Sequence, residues 1–285
     1  MRFAYYPGCT AKSTAIEYGE SVEDISRYLG IDLEEIPDWN CCGATSGHVA
    51  NGELAIALPS RNLALAGEMS LDIVTPCPAC FLRQKVAQYE LKKDPQLKTR
   101  IETEIGMPLK LPQEIKHILQ VLYRDVGIDS IQTKIQKSLR GLKAVTYYGC
   151  YLVRPPGVTE FDDPENPTIM DKIMEVLDVE VIDWSYKVDC CGGGLALTNP
   201  EIVKRLVSKI AISASEVGAD AIITACHLCQ SNLDTYQPRK RNANPIPIFF
   251  FSELIALALG SSHVKGWFKK HMVNPSGLLE RLKLL

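Results

Sequence analysis

No apolar stretch of this chain is long enough to cross a bilayer. The longest, Ile246 to Leu259, is interrupted by Pro247, Ser252 and Glu253 and falls short of the ~20 residues a spanning helix needs. Positive charge is not in excess either. The 31 basic and 34 acidic residues give a formal net charge of -3, which offers no reason to expect nucleic acid as a partner. The opening residues, Met1-Arg2-Phe3-Ala4-Tyr5-Tyr6-Pro7, lack the apolar centre of a signal peptide. Also missing is the compact C-x2-C-x2-C run of ferredoxin-type clusters. These absences lead to the expectation of a cytoplasmic protein with no membrane span. In that compartment cysteines serve metal or redox chemistry in preference to structural disulfides.

Cysteine itself is plentiful: ten in 285 residues, within an otherwise ordinary globular composition of 46% apolar and 23% charged residues. They fall into two sets with one pattern. Cys9, Cys41, Cys42, Cys77 and Cys80 read C-x31-CC-x34-C-x2-C; Cys150, Cys190, Cys191, Cys226 and Cys229 read C-x39-CC-x34-C-x2-C. The flanks repeat too. Tyr5-Tyr6-Pro7-Gly8-Cys9 matches Tyr147-Tyr148-Gly149-Cys150 if one residue is deleted, and Ile73-Val74-Thr75-Pro76-Cys77 matches Ile222-Ile223-Thr224-Ala225-Cys226. The chain is an internal duplication, with expected domains at 1–140 and 141–285.

Strands are expected at 3–6, 31–36, 71–75, 141–148, 179–183 and 221–224, alternating with helices at 13–29, 51–69 (interrupted or bent near Pro59), from Phe81, 168–177 and 201–217. The charged stretch 91–140 looks inserted, although its helix 117–126 resembles 252–259 in the second half. The basic, amphipathic tail from Ser261 (Trp267, Phe268, Leu278, Leu279, Leu282) is suited to covering a core or docking a partner. The alternation predicts α/β halves with mainly parallel sheets.

Adjacent cysteines suit neither a mutual disulfide, which closes a strained ring, nor one tetrahedral ion, because their side chains diverge. They suit a multinuclear cluster in which each thiolate grips a different iron, with the following glycine allowing close backbone approach. Zinc stays open as an alternative: C-x2-C is a common half-site, and ten thiols make two tetrahedral sites with two to spare.

Tyr6-Pro7-Gly8-Cys9-Thr10, Asp38-Trp39-Asn40-Cys41-Cys42-Gly43-Ala44 and Thr75-Pro76-Cys77-Pro78-Ala79-Cys80 resemble the B subunit of heterodisulfide reductase, and the doubled pattern resembles the cysteine-rich CCG domain. The resemblance implies two tandem α/β CCG domains, each with a small mainly parallel sheet and flanking helices, related by a pseudo-twofold axis. It implies one noncubane [4Fe-4S] cluster per half, each held by all five cysteines of its set. The implied reaction is reductive cleavage of the coenzyme M–coenzyme B disulfide in the cleft between two clusters. The implied partners are a ferredoxin-like iron–sulfur subunit and a flavin-containing subunit. The alternatives are a CCG electron-transfer subunit of a lactate, glycolate, fumarate or succinate oxidoreductase, or a zinc-binding scaffold without activity.

Outside the clusters, His227 lies within the second C-x2-C and is a candidate proton donor; His48 is a weaker candidate of the same kind. An anionic substrate calls for cations, and Lys12, Arg83, Arg154 and Lys187 lie near cluster ligands in sequence.

Overall fold

A computed structural model describes residues 1–44, 47–238 and 245–285, and in the helix after residue 46 it leaves the His48 side chain outside the description. Two four-stranded sheets form, both wholly parallel. The first contains β1 (Arg2–Tyr5), β2 (Asp32–Glu35), β3 (Ile73–Thr75) and β4 (Ile115–His117) in the order β2-β1-β3-β4. The second contains β5 (Lys143–Tyr147), β6 (Glu180–Val181), β7 (Ala221–Thr224) and β8 (Ile248–Phe250) in the order β6-β5-β7-β8. The duplication read from the cysteines is therefore a duplication of topology. Central strands such as Ile73–Thr75 and Ala221–Thr224 are buried at every position, as parallel strands covered on both faces must be.

The expected helices form, with informative differences. Ile16–Leu29 stops at Gly30, which takes φ +74 and returns its N–H to the last carbonyls. The helix Leu54–Met69 runs through Pro59 as one element. It starts later than expected because the Asn51 carboxamide accepts the Glu53 and Leu54 N–H groups at 2.7 and 3.2 Å, capping the chain before the helix begins.

The segment 91–140 is only partly an insertion. Helix Pro95–Ile105 stands between the C-x2-C helix Pro78–Lys93 and β4, but β4 itself is the counterpart of β8. Each of these edge strands passes directly into a helical turn, Ile118–Gln120 in one half and Phe251–Ala258 in the other. The turns start alike: a Gln120 or Glu253 side-chain oxygen accepts the N–H of the last strand residue, His117 at 3.0 Å or Phe250 at 2.9 Å. The helix expected at 117–126 is not regular throughout; its last six residues, Val121–Val126, wind as a π-helical turn.

The largest apolar core runs through both halves without a break. Helix Ile16–Leu29 packs on helix Phe251–Ala258, where the Ser21 and Ser252 hydroxyls meet at 2.7 Å. The tail covers this core: Trp267, Phe268, Leu278 and Leu279 are buried, and Phe268 meets Phe249 edge-on at 5.6 Å. Among the described residues no helix is long and apolar enough to cross a membrane.

Candidate functional site

Parallel sheets present their functional loops at the carboxyl ends of the strands, and the cysteines lie there. Cys9 and Cys150 follow β1 and β5, while Cys77 and Cys226 follow β3 and β7 and open the helices Pro78–Lys93 and His227–Tyr236. Thr75 and Thr224 set the two turns identically, each hydroxyl accepting the N–H of its cysteine at 3.3 Å.

The first-strand loops also match residue for residue. The Tyr6 hydroxyl donates to the Asn40 carbonyl, just before Cys41-Cys42, and the Tyr147 hydroxyl donates to the Asp189 carbonyl, just before Cys190-Cys191. Tyr6 therefore corresponds to Tyr147 and Pro7 to Tyr148. The one-residue deletion expected from the sequence is not there. Sheet register agrees, since Tyr5 pairs with Val74 and Thr146 with Ile223, each three residues before a C-x2-C cysteine.

All ten cysteines are free thiols. In the first set Cys41 and Cys9 sulfurs lie 3.8 Å apart and Cys42 and Cys80 3.4 Å; in the second, Cys191 and Cys229 lie 3.5 Å apart. Hydrogen bonds between thiols divide each set. A bond from Cys41 pushes Cys42 down to about 3, and one from Cys80 pushes Cys77 down to about 5. A bond from Cys150 pushes Cys190 down to about 6, while the donors Cys41, Cys80 and Cys150 are pushed up.

Backbone N–H groups of Gly192 and Gly193 point at the Cys190 and Cys191 sulfurs, at 3.3 and 3.4 Å, and Asn232 Nδ2 reaches Cys191 Sγ at 3.6 Å. The glycines are required. Gly43 and Gly192 hold φ of +72 and +95, and a Cβ there would meet Leu58 Cδ1 at 2.7 Å or Val203 Cγ2 at 2.8 Å. A Cβ on Gly8 or Gly149 would approach the sulfur of Cys80 or Cys229 at 3.1 or 3.0 Å.

Soft sulfur donors in vicinal pairs, N–H groups aimed at sulfur and side-chain-free backbone fit an iron–sulfur cluster in each half. Among the described residues no three ligating side chains converge as a single-ion site would need.

The two sets meet through His227. Its Nδ1 lies 3.6 Å from the Cys77 sulfur of the other half. Burial disfavours the charged imidazole, but the Cys77 sulfur outweighs burial and lifts the ring to about 9. Between the halves lies a cavity of about 670 Å³. All five cysteines of the second set line it, with Tyr147, Tyr148, Tyr151, Leu195 and Leu228; Ala44, Val49, Ala50 and Pro78 form the facing wall. Apart from the thiols, none of its described lining residues is ionisable below the tyrosine range. Cys9 and Cys41 of the first set instead reach the surface.

The chain matches the cysteine-rich CCG domain twice, over residues 3–83 and 144–234. The chain belongs to the CCG family. This CCG chain is 32% identical over 265 residues to the 8-methylmenaquinol:fumarate reductase membrane anchor subunit of Wolinella succinogenes, covering 90% of this chain and 92% of that protein. It is 31% identical over 272 residues to the B subunit of the ferredoxin:CoB-CoM heterodisulfide reductase of Methanosarcina mazei, covering 92% and 90%. The heterodisulfide reductase resemblance read from the motifs is thus borne out at family level, and these oxidoreductase relatives give the CCG chain a redox role. A hypothetical protein from Helicobacter pylori shares the fold, with a TM-score of 0.72 at 11% identity; the match covers 96% of the CCG chain and 52% of that one.

The four candidate cations are not gathered at the cavity. Lys12 pairs with Glu35 at 2.9 Å, and Arg154 pairs with Glu165 at 2.9 Å beside a separate hollow. Lys187 is buried, its ammonium 2.6 Å from Asp171 and 2.9 Å from the Asn166 carboxamide oxygen, and it does not line the cavity. Arg83 has no carboxylate partner among the described residues, and its charge acts on Cys42 and Tyr151, one from each half.

The bonds of Tyr6, Tyr147 and Asn232 escape sequence reasoning. The repeated tyrosine is visible, but nothing in its spacing names the carbonyl it serves.

Proposed function

We propose that this CCG chain is the catalytic subunit of a heterodisulfide-reductase-type complex, cleaving the coenzyme M–coenzyme B disulfide in the cleft between its two cysteine sets. One observation carries the reading: the cavity between the halves is walled on one side by an entire five-cysteine set and on the other by Val49, Ala50 and two residues close in sequence to first-set cysteines, Ala44 and Pro78. Cys9, Cys41, Cys42, Cys77 and Cys80 would hold one noncubane [4Fe-4S] cluster, and Cys150, Cys190, Cys191, Cys226 and Cys229 the other. Such clusters, when bound, supply electrons one at a time and favour sulfur as thiolate.

The chain's own residues do the rest. The largely apolar walls, with Tyr147, Tyr148 and Leu228 beside the thiols, limit the polar surroundings of the reacting sulfurs. His227, whose Nδ1 lies 3.6 Å from the Cys77 sulfur between the two sets, is the candidate proton donor to a departing thiol. Arg83, which lies off the cavity lining but whose charge acts on Cys42 and Tyr151, is the candidate cation for an anionic end of a substrate that extends beyond those walls. The disulfide takes up two electrons and two protons and leaves as two thiols. The partners in this reading are a ferredoxin-like iron–sulfur subunit and a flavin-containing subunit, in the cytoplasm.

The test is iron and sulfide content after anaerobic purification, with EPR recorded after oxidation with and without coenzyme M. Roughly eight irons per chain, four per cluster, and a signal altered by the thiol are expected. Zinc without sulfide would overturn the reading.

A second reading is favoured by the uncharged cavity lining. A sulfonate or phosphate finds no cation on those walls, whereas a quinol, the substrate class in the name of the fumarate reductase relative, needs none. Oxidation of a menaquinol analogue, with no turnover of the heterodisulfide, would select it.

A further inference from the structure

The strands that support the two C-x2-C turns end in different residues. In the first half the last residue of the edge strand is His117, paired with Thr75; in the second it is Phe250, paired with Thr224. His117 is buried and neutral, since Leu119 N–H donates to its Nδ1 at 3.3 Å and leaves the proton on Nε2. That Nε2–H donates to the Pro76 carbonyl at 2.7 Å, fixing the peptide that leads into Cys77. Phe250 has nothing to donate, so the matching carbonyl of Ala225, leading into Cys226, lacks its own half's donor.

Tyr18 fills the gap from the opposite half. Its hydroxyl, fully buried, lies 2.8 Å from the Ala225 carbonyl and 2.7 Å from the Pro76 carbonyl. A phenol has one proton. The Pro76 oxygen is already served by His117, and among the described residues no other donor reaches the Ala225 oxygen. An unpaired buried carbonyl is costly, which directs the proton to Ala225. Phe250 keeps the ring in place by stacking on it, with centroids 4.2 Å apart and planes 9° from parallel.

We infer that Tyr18 is a positioning residue for the second cysteine set, supplying across the interface between the halves the hydrogen bond that His117 supplies within the first. The inference rests on each set holding an iron–sulfur cluster.

Tyr18→Phe removes the donor and keeps the stacking ring. The two centres are read separately by EPR-monitored redox titration, in Cys42→Ala, which leaves the second set intact, and in Cys191→Ala, which leaves the first. Tyr18→Phe is expected to shift the midpoint potential of the second centre, or to cost iron there alone, and to leave the first centre unchanged. Phe250→His added to Tyr18→Phe places an imidazole where the first half has His117, and the second centre's signal is expected to return. An unshifted second centre, an equal change in both, or no recovery with Phe250→His would each overturn the inference. If Tyr18→Phe depletes both centres while Phe250→Leu does the same, the ring is mere packing and the inference also fails. Absence of iron from the unsubstituted chain would overturn the cluster reading itself, a result distinct from all of these.

Discussion

The His227 imidazole of one half lies 3.6 Å from the Cys77 sulfur of the other, so each cysteine set contributes to the surroundings of its neighbour. The pseudo-equivalent residue in the first half is Pro78, which has no proton to give.

Replacing His227 with Ala is accordingly expected to slow disulfide reduction by about a hundredfold, the low end of what a lost general acid costs. Iron content should stay unchanged. Equal turnover in the variant would make His227 a structural residue.

Cys191→Ala should remove the second cluster and leave the first, because Cys191 pairs only with its own set, with Cys229 at 3.5 Å. Iron should fall to about half and turnover should vanish. Retained turnover would rule out a mechanism needing both sets.

Lys187 forms a buried pair with Asp171, which also accepts the Tyr148 hydroxyl at 2.9 Å and so supports the Cys150 loop. Lys187→Ala leaves that carboxylate buried without its counter-charge and should cost about 3–5 kcal/mol of stability. Denaturant unfolding would show it. A raised KM at unchanged stability would return Lys187 to the substrate.

The tail is fastened by a buried pair of another kind, His271 Nε2 to Glu253 Oε1 at 2.8 Å. Burial pulls the imidazole down, but Glu253 and then Asp234 and Glu17 lift it from 6.5 to about 9. A group with a raised folded pKa stabilises fully below its unfolded value and loses that contribution as pH climbs through the folded one. Stability on the order of 3 kcal/mol should therefore fade between pH 6.5 and about 9. In His271→Gln the thermal midpoint should lose this slope; an unchanged slope would mean that the pair is not responsible.

Much of this architecture is legible in the sequence because cysteine spacing is fixed by loop positions that both halves share. The two sets, the parallel α/β halves and Gly30 as a helix stop all follow from local pattern. The edge strands β4 and β8 do not, since three residues running directly into a helix are too few to carry a strand period of their own. The Lys187 pair is illegible for a related reason. Nearness in sequence to Cys190 says nothing of Asp171, which approaches from the helix Ile169–Val176. The gap expected from matching Tyr5-Tyr6 with Tyr147-Tyr148 disappears when the tyrosines are counted back from Cys9 and Cys150, and the hydroxyls of Tyr6 and Tyr147 serve equivalent carbonyls.

The core that passes unbroken through both halves has a consequence for each half alone. Cut at the repeat boundary, either piece would present to water the apolar face that now lies against the other, beside the buried serines Ser21 and Ser252. A single repeat would therefore need a second copy or another partner to bury that face.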